Sequence, residues 1–122
     1  MRALIIEPQV FASFMIEDAL RDAGYTSIAL ARSEEEAMAS AEASPPDLVT
    51  AALDLEPGSG LRAARAIRTK CRAAVLFITK RAGEVLREER DPVVIRKPFL
   101  AADLPPAIAA AQRKRLSLLP AS

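Results

Sequence analysis

Apolar residues along the chain come in short unbroken runs, separated by longer stretches in which they recur every three or four positions. Ala3-Leu4-Ile5-Ile6 is the first run, and its length suits a strand buried on both faces before Glu7-Pro8 ends it. From Pro8 to Ala23 the spacing becomes helical, with Met15, Ile16, Ala19, Leu20 and Ala23 on one face and Gly24 placed to end the helix in a left-handed turn. Thr26 to Ala31 predicts a second strand. Ser33, with Glu36 three residues on, is a capping box that opens a helix to about Ala43, where Pro45-Pro46 breaks it. Asp47 to Ala52 predicts the third strand, and Glu56-Pro57-Gly58-Ser59-Gly60 is turn chemistry before a helix from Leu61 to about Thr69. Ala74 to Ile78, closed by Thr79, is the fourth strand. A short polar helix from Gly83 to Glu89 and a fifth strand, Pro92 to Ile95, follow. The last helix starts near Asp103, tolerates Pro105 and Pro106 in its first turn, and runs to about Arg115.

Strand and helix thus alternate five times. Such (βα)5 alternation predicts a doubly wound parallel sheet with right-handed crossovers and a ligand crevice at the C-terminal strand ends. Polar residues fall at those ends: Glu7 after the first strand, Asp54 after the third, Thr79 after the fourth and Lys97 after the fifth. Their matching positions predict one shared pocket.

Composition narrows what that pocket can do. The 122 residues suit one domain, 1–122, with an ordered core over about 2–115 and a fraying tail, 116–122. Hydrophobic residues make up 51% and aromatics 4%, so the core must be built mainly from Ala, Leu, Ile and Val. Seventeen basic residues nearly balance sixteen acidic ones, which argues against a nucleic-acid binder. The Gln112-Arg113-Lys114-Arg115 tail reads as a solvated helix end whose cations suit the C-terminal dipole. There is no histidine, which removes His-based acid–base catalysis and a phosphohistidine carrier. Cys71 stands alone and no stretch is long enough to span a membrane, so a cytoplasmic setting is expected.

The motifs Leu4-Ile5-Ile6-Glu7, Asp47-Leu48-Val49, Gly60-Leu61, Ile78-Thr79 and above all Arg96-Lys97-Pro98-Phe99 resemble the receiver domain of two-component response regulators over nearly the whole chain. The resemblance implies a flavodoxin-like sheet of order 2-1-3-4-5 and a cis peptide before Pro98. It also implies a phosphorylation site in which two acidic residues after the first strand help hold Mg²⁺, an aspartate ending the third strand accepts the phosphoryl group, and a Thr and a Lys contact it. Such chemistry rests on a carboxylate nucleophile, a divalent cation and a positive side chain held in place.

Against that pattern the chain departs at three positions. Register from Asp47 to Gly60 puts Ala52, which cannot be phosphorylated, at the acceptor position. Pro8 replaces the second acidic residue beside Glu7, which removes a metal ligand; Glu7 and Asp54 are the only metal candidates left. Val94 replaces the aromatic that commonly pairs with the Thr. Asp54 is either an alternative acceptor or a turn residue near the pocket, and Lys97 is expected to reach Glu7 or Asp54 across the crevice. Thr79 is open between an ordinary strand-end hydroxyl and a remnant switch. Val10, Phe11 and Phe14 lie off the inner face of the first helix, where receivers dock a histidine kinase or phosphotransfer protein.

The leading expectation is a stand-alone, non-enzymatic pseudo-receiver. It would act by phosphorylation-independent contact with a histidine kinase, a phosphotransfer protein or another response regulator, or by homodimerising through its last helices, with no cofactor and no nucleic acid or membrane partner. One alternative is a Mg²⁺-dependent phosphoacceptor using Asp54. Another is a flavodoxin-like domain binding a small ligand, which the lack of a glycine-rich phosphate loop weakens.

Overall fold

The computed structural model describes residues 1–55 and 57–118, so Glu56 of the expected turn and residues 119–122 of the expected tail lie outside it. Five parallel strands, β1 (Arg2–Ile6), β2 (Ser27–Ala31), β3 (Leu48–Ala51), β4 (Ala74–Thr79) and β5 (Val94–Arg96), form one sheet in the order β2-β1-β3-β4-β5. The helices between them are α1 (Val10–Asp22), α2 (Glu34–Ala43), α3 (Gly60–Cys71), α4 (Ala82–Glu88) and α5 (Leu104–Leu118), the last preceded by a 3-10 turn at Ala101–Asp103.

Alternation within each strand divides the core in two. Leu4, Ile6, Val49, Ala51 and Phe77 point to the face covered by α2, α3 and α4, where Ala37, Leu61, Ile67 and Val85 meet them. Ala3, Ile5, Leu48, Leu76 and Ile78 point to the face of α1 and α5, against Ile16, Leu20, Leu104 and Ile108. Both faces of the inner strands are therefore dry, which is why those strands read as unbroken apolar runs.

Helix ends follow local chemistry. The hydroxyl of Ser33 accepts the Glu36 N–H at 3.1 Å, and that of Ser59 accepts the Arg62 N–H at 3.2 Å, so each supplies an oxygen to an otherwise unpaired helical donor. Gly24 takes a φ of +102° as expected, and the Tyr25 N–H turns back to the Leu20 carbonyl at 3.0 Å. The chain has already begun to leave the helix there, so Ala23, expected on the inner face of α1, is exposed. Two boundaries also move. Helix α1 starts at Val10 rather than Pro8, with Gln9 at its cap, and α5 runs three residues past Arg115 because no breaker precedes Pro120.

Candidate functional site

The strand ends that the alternation brings together carry the predicted residues. The Glu7 N–H pairs with the Ala31 carbonyl at 2.9 Å and the Ala52 N–H with the Ile6 carbonyl at 3.0 Å, so both residues continue the ladder just past β1 and β3. The Lys97 N–H does the same for β5, reaching the Thr79 carbonyl at 2.9 Å, and the following Lys97–Pro98 peptide is cis. Ala52, Asp54, Thr79 and Lys97, with Pro8, Gln9 and Lys80, line a cavity of about 190 Å³.

Its electrostatics are set by one buried ion pair. Lys97 Nζ lies 2.8 Å from Glu7 Oε1, with the Glu7 side chain 1% exposed and that of Lys97 9%. Glu7 Oε1 has no well-aligned hydrogen bond, so this is a charge contact. Glu7 Oε2 accepts the Gln9 N–H at 3.1 Å, and Lys97 also donates to the Gln9 side-chain oxygen at 3.3 Å. Between the two positions that Lys97 could have reached, it takes Glu7.

Asp54 turns elsewhere. It lies past β3 in a loop closed by an antiparallel bridge to Ser59, and its side chain is 58% exposed. Its Oδ1 accepts from Arg81 at 2.8 Å, and this hydrogen bond, with the charge of nearby Glu84, holds the Arg81 guanidinium above its ordinary value. Thr79 is buried, and its hydroxyl accepts the Arg81 N–H at 3.0 Å, so the end of β4 is tied to the start of α4. Val10, Phe11 and Phe14 stand 47%, 78% and 62% exposed at the start of α1.

The carboxylates do not converge on a common point. Glu7 is committed to Lys97 and Asp54 to Arg81, Pro8 offers no side-chain oxygen, and among the described residues no three Asp, Glu, Cys or His groups cluster closely enough to hold a metal. Magnesium requires several oxygen ligands in near-octahedral array, and this donor set does not fit it.

Sequence reasoning missed Gln9, Lys80 and Arg81. Each lies within two residues of a strand-end residue already singled out, Glu7 or Thr79, so the strand-end rule, carried two residues further, would have reached all three.

Residues 3–109 match the family model described as the response regulator receiver domain. The chain belongs to that family. Receiver domains are modules of two-component signalling, and this one has the five-stranded 2-1-3-4-5 sheet expected of it. It is similar to the receiver domain of the response regulator PhyR from Erythrobacter litoralis, with 28% identity and a TM-score of 0.84 over 99% of this chain and 95% of that one. The response regulator PhyR from Brucella abortus matches with 28% identity and a TM-score of 0.83, over 95% of this chain but 49% of that one. The anti-anti-sigma factor PhyR from Bartonella quintana matches with 27% identity and a TM-score of 0.77, over 95% of this receiver domain and 49% of that protein. The chain thus spans about half the length of these two full PhyR proteins. No curated protein sequence matches it. Among the described residues, no helix is long and apolar enough to cross a membrane.

Proposed function

We propose that this receiver domain signals by protein contact without being phosphorylated. The observation that carries this reading is the Ala52 methyl, which continues the β3 ladder into the strand-end cavity shared with Thr79 and Lys97. In the family a nucleophilic carboxylate stands there, and a methyl group has no lone pair with which to attack phosphorus. The Lys97 cation that would meet a phosphoryl group is instead neutralised by Glu7. This is a binding protein rather than an enzyme, and a cytoplasmic one, as the lone Cys71 and the family's signalling role suggest. Its partner is a histidine kinase, a phosphotransfer protein or another response regulator. The exposed Val10, Phe11 and Phe14 form the docking edge, since exposed apolar clusters tend to mark partner surfaces. Self-association through the last helices is the other contact we propose.

One observation favours a second reading, phosphorylation on Asp54: that residue lines the same cavity. The test incubates the chain with Mg²⁺ and acetyl phosphate and reads the intact mass. No added phosphate is the expected result. Labelling that disappears in Asp54→Asn would replace the first reading with the second.

A further inference from the structure

At the other end of the sheet, where β4 begins, lies a cavity of about 280 Å³ to which no role has yet been given. Its lining is mainly apolar. Ala73, Ala74, Phe77 and Ala111 are buried at its base, while the half-buried Val75, Pro92 and Val93 and the exposed Leu118 supply its open apolar surface.

The rim is positively charged. Arg68, Arg90, Lys114 and Arg115 line the cavity against a single carboxylate, Glu89. Two of these cations are already engaged. Arg68 holds Glu89 through contacts of 2.6 and 3.3 Å, while Arg115 donates to the Arg72 carbonyl at 2.7 Å and lies 3.7 Å from Asp47. Lys114 and Arg90 have no carboxylate partner among the described residues. The Lys114 ammonium is nonetheless fixed in place, because it donates to the main-chain carbonyls of Arg90 and Asp91, the latter in a left-handed turn at φ +49°. Two of its three protons are used, its charge is uncompensated, and it stands at the cavity's rim beside Val93 and Leu118. A pre-positioned cation beside apolar lining is the arrangement that selects an anion carrying a hydrocarbon body.

We propose that this cavity binds a small amphipathic carboxylate, its chain on Val75, Val93 and Leu118 and its head group on Lys114 and Arg90. A body of about eight to ten carbons fills the space at interior packing density. The site is independent of the strand-end pocket and of whether that pocket is phosphorylated. A groove of about 350 Å³ between Phe11, Met15 and Phe99 is a rival with similar lining. There Lys97 is spent on Glu7, which leaves Lys80 as its only uncommitted cation among the described residues. The experiment must therefore resolve the site.

The test titrates octanoate, and separately octan-1-ol, into the ¹⁵N-labelled chain and follows amide resonances. Octanoate is expected to shift Ala73, Val93, Ala111 and Lys114 saturably, with a Kd below about 1 mM. Octan-1-ol should bind there about tenfold more weakly, the worth of one charge-assisted contact. Lys114→Met should weaken octanoate by the same factor and leave octan-1-ol unmoved, and the exposed Arg90→Gln should act in the same direction without risk to the fold. Leu118→Ser, which removes the exposed apolar wall, should weaken both. Absence of saturable shifts at these residues overturns the proposal. So do shifts centred on Phe11 and Phe99, equal affinity for acid and alcohol, or octanoate binding indifferent to both Lys114→Met and Arg90→Gln.

Discussion

Lys97 and Glu7 meet at 2.8 Å across the ends of β5 and β1, with the Glu7 side chain buried and that of Lys97 nearly so. Both charges are largely removed from water, so each depends on the other. Removing one member of a buried pair strands its partner, typically at about 3–5 kcal/mol, whereas removing both can be nearly neutral. Lys97→Met is therefore expected to lower the free energy of unfolding by an amount in that range, and the Glu7→Gln, Lys97→Met double substitution to recover most of it. Urea denaturation of the four chains in this cycle measures both. An additive cycle would show that the pair is not coupled.

The fold was largely legible because dry parallel strands leave runs such as Ala3–Ile6 and Ala74–Ile78 that no surface helix would tolerate. The same logic placed Glu7, Thr79 and Lys97 at the strand ends. What spacing could not show was direction. Asp54 lies two residues beyond Ala52, close enough to compete for the pocket, and only the bridge to Ser59 and the pull of Arg81 turn it outward. Arg81 has no periodic signature, and only its place two residues past Thr79 marks it.

Gly60 and Gly83 should respond oppositely to the same substitution. A Cβ on Gly60 would fall 1.6 Å from the Ala52 carbonyl oxygen, a main-chain atom that cannot rotate away. Gly60→Ala must then displace either the start of α3 or the end of β3, and its expected cost is at or above the upper end of about 1–3 kcal/mol. A Cβ on Gly83, inside α4, meets nothing nearer than Arg87 Nη1 at 3.6 Å. Gly83→Ala is expected to stabilise by about 0.5–1 kcal/mol through helix propensity. Thermal unfolding of the two variants compares the signs directly.

Glu89 clamps the end of α4 to α3. Its side chain is 7% exposed and takes Arg65 at 2.8 Å and Arg68 at 2.6 Å. Burial alone would raise its carboxyl, but the hydrogen bonds from Arg68 and Arg65 outweigh burial and hold it below the ordinary value of 4.5. A carboxyl depressed by folding stabilises the ionised native chain above that ordinary value, and the contribution drains away as pH falls through the folded value. Wild type is therefore expected to exceed Glu89→Gln in stability at neutral pH, and the gap to narrow steadily below about pH 4.5. Urea midpoints of both chains between neutral and acid pH report the gap. A gap that stays constant with pH would show that the clamp is not ionic.

Ala52→Asp places a carboxylate just past the end of β3, yet is expected to yield little phosphorylated protein. A new carboxylate at position 52 would stand in a cavity where Pro8 supplies no oxygen and Glu7 is bound to Lys97. Phosphoryl transfer depends on charge neutralisation at the transferring group, and the nucleophile is only one of its parts. Adding Pro8→Asp supplies a second carboxylate beside Glu7 and shifts the local balance away from the closed Glu7–Lys97 pair. The double variant, incubated with Mg²⁺ and acetyl phosphate, is expected to gain a phosphate by intact mass where each single variant does not. If Ala52→Asp alone is labelled fully, the ion pair opens more easily than its burial implies. The proposed independence from phosphorylation would then rest on position 52 by itself.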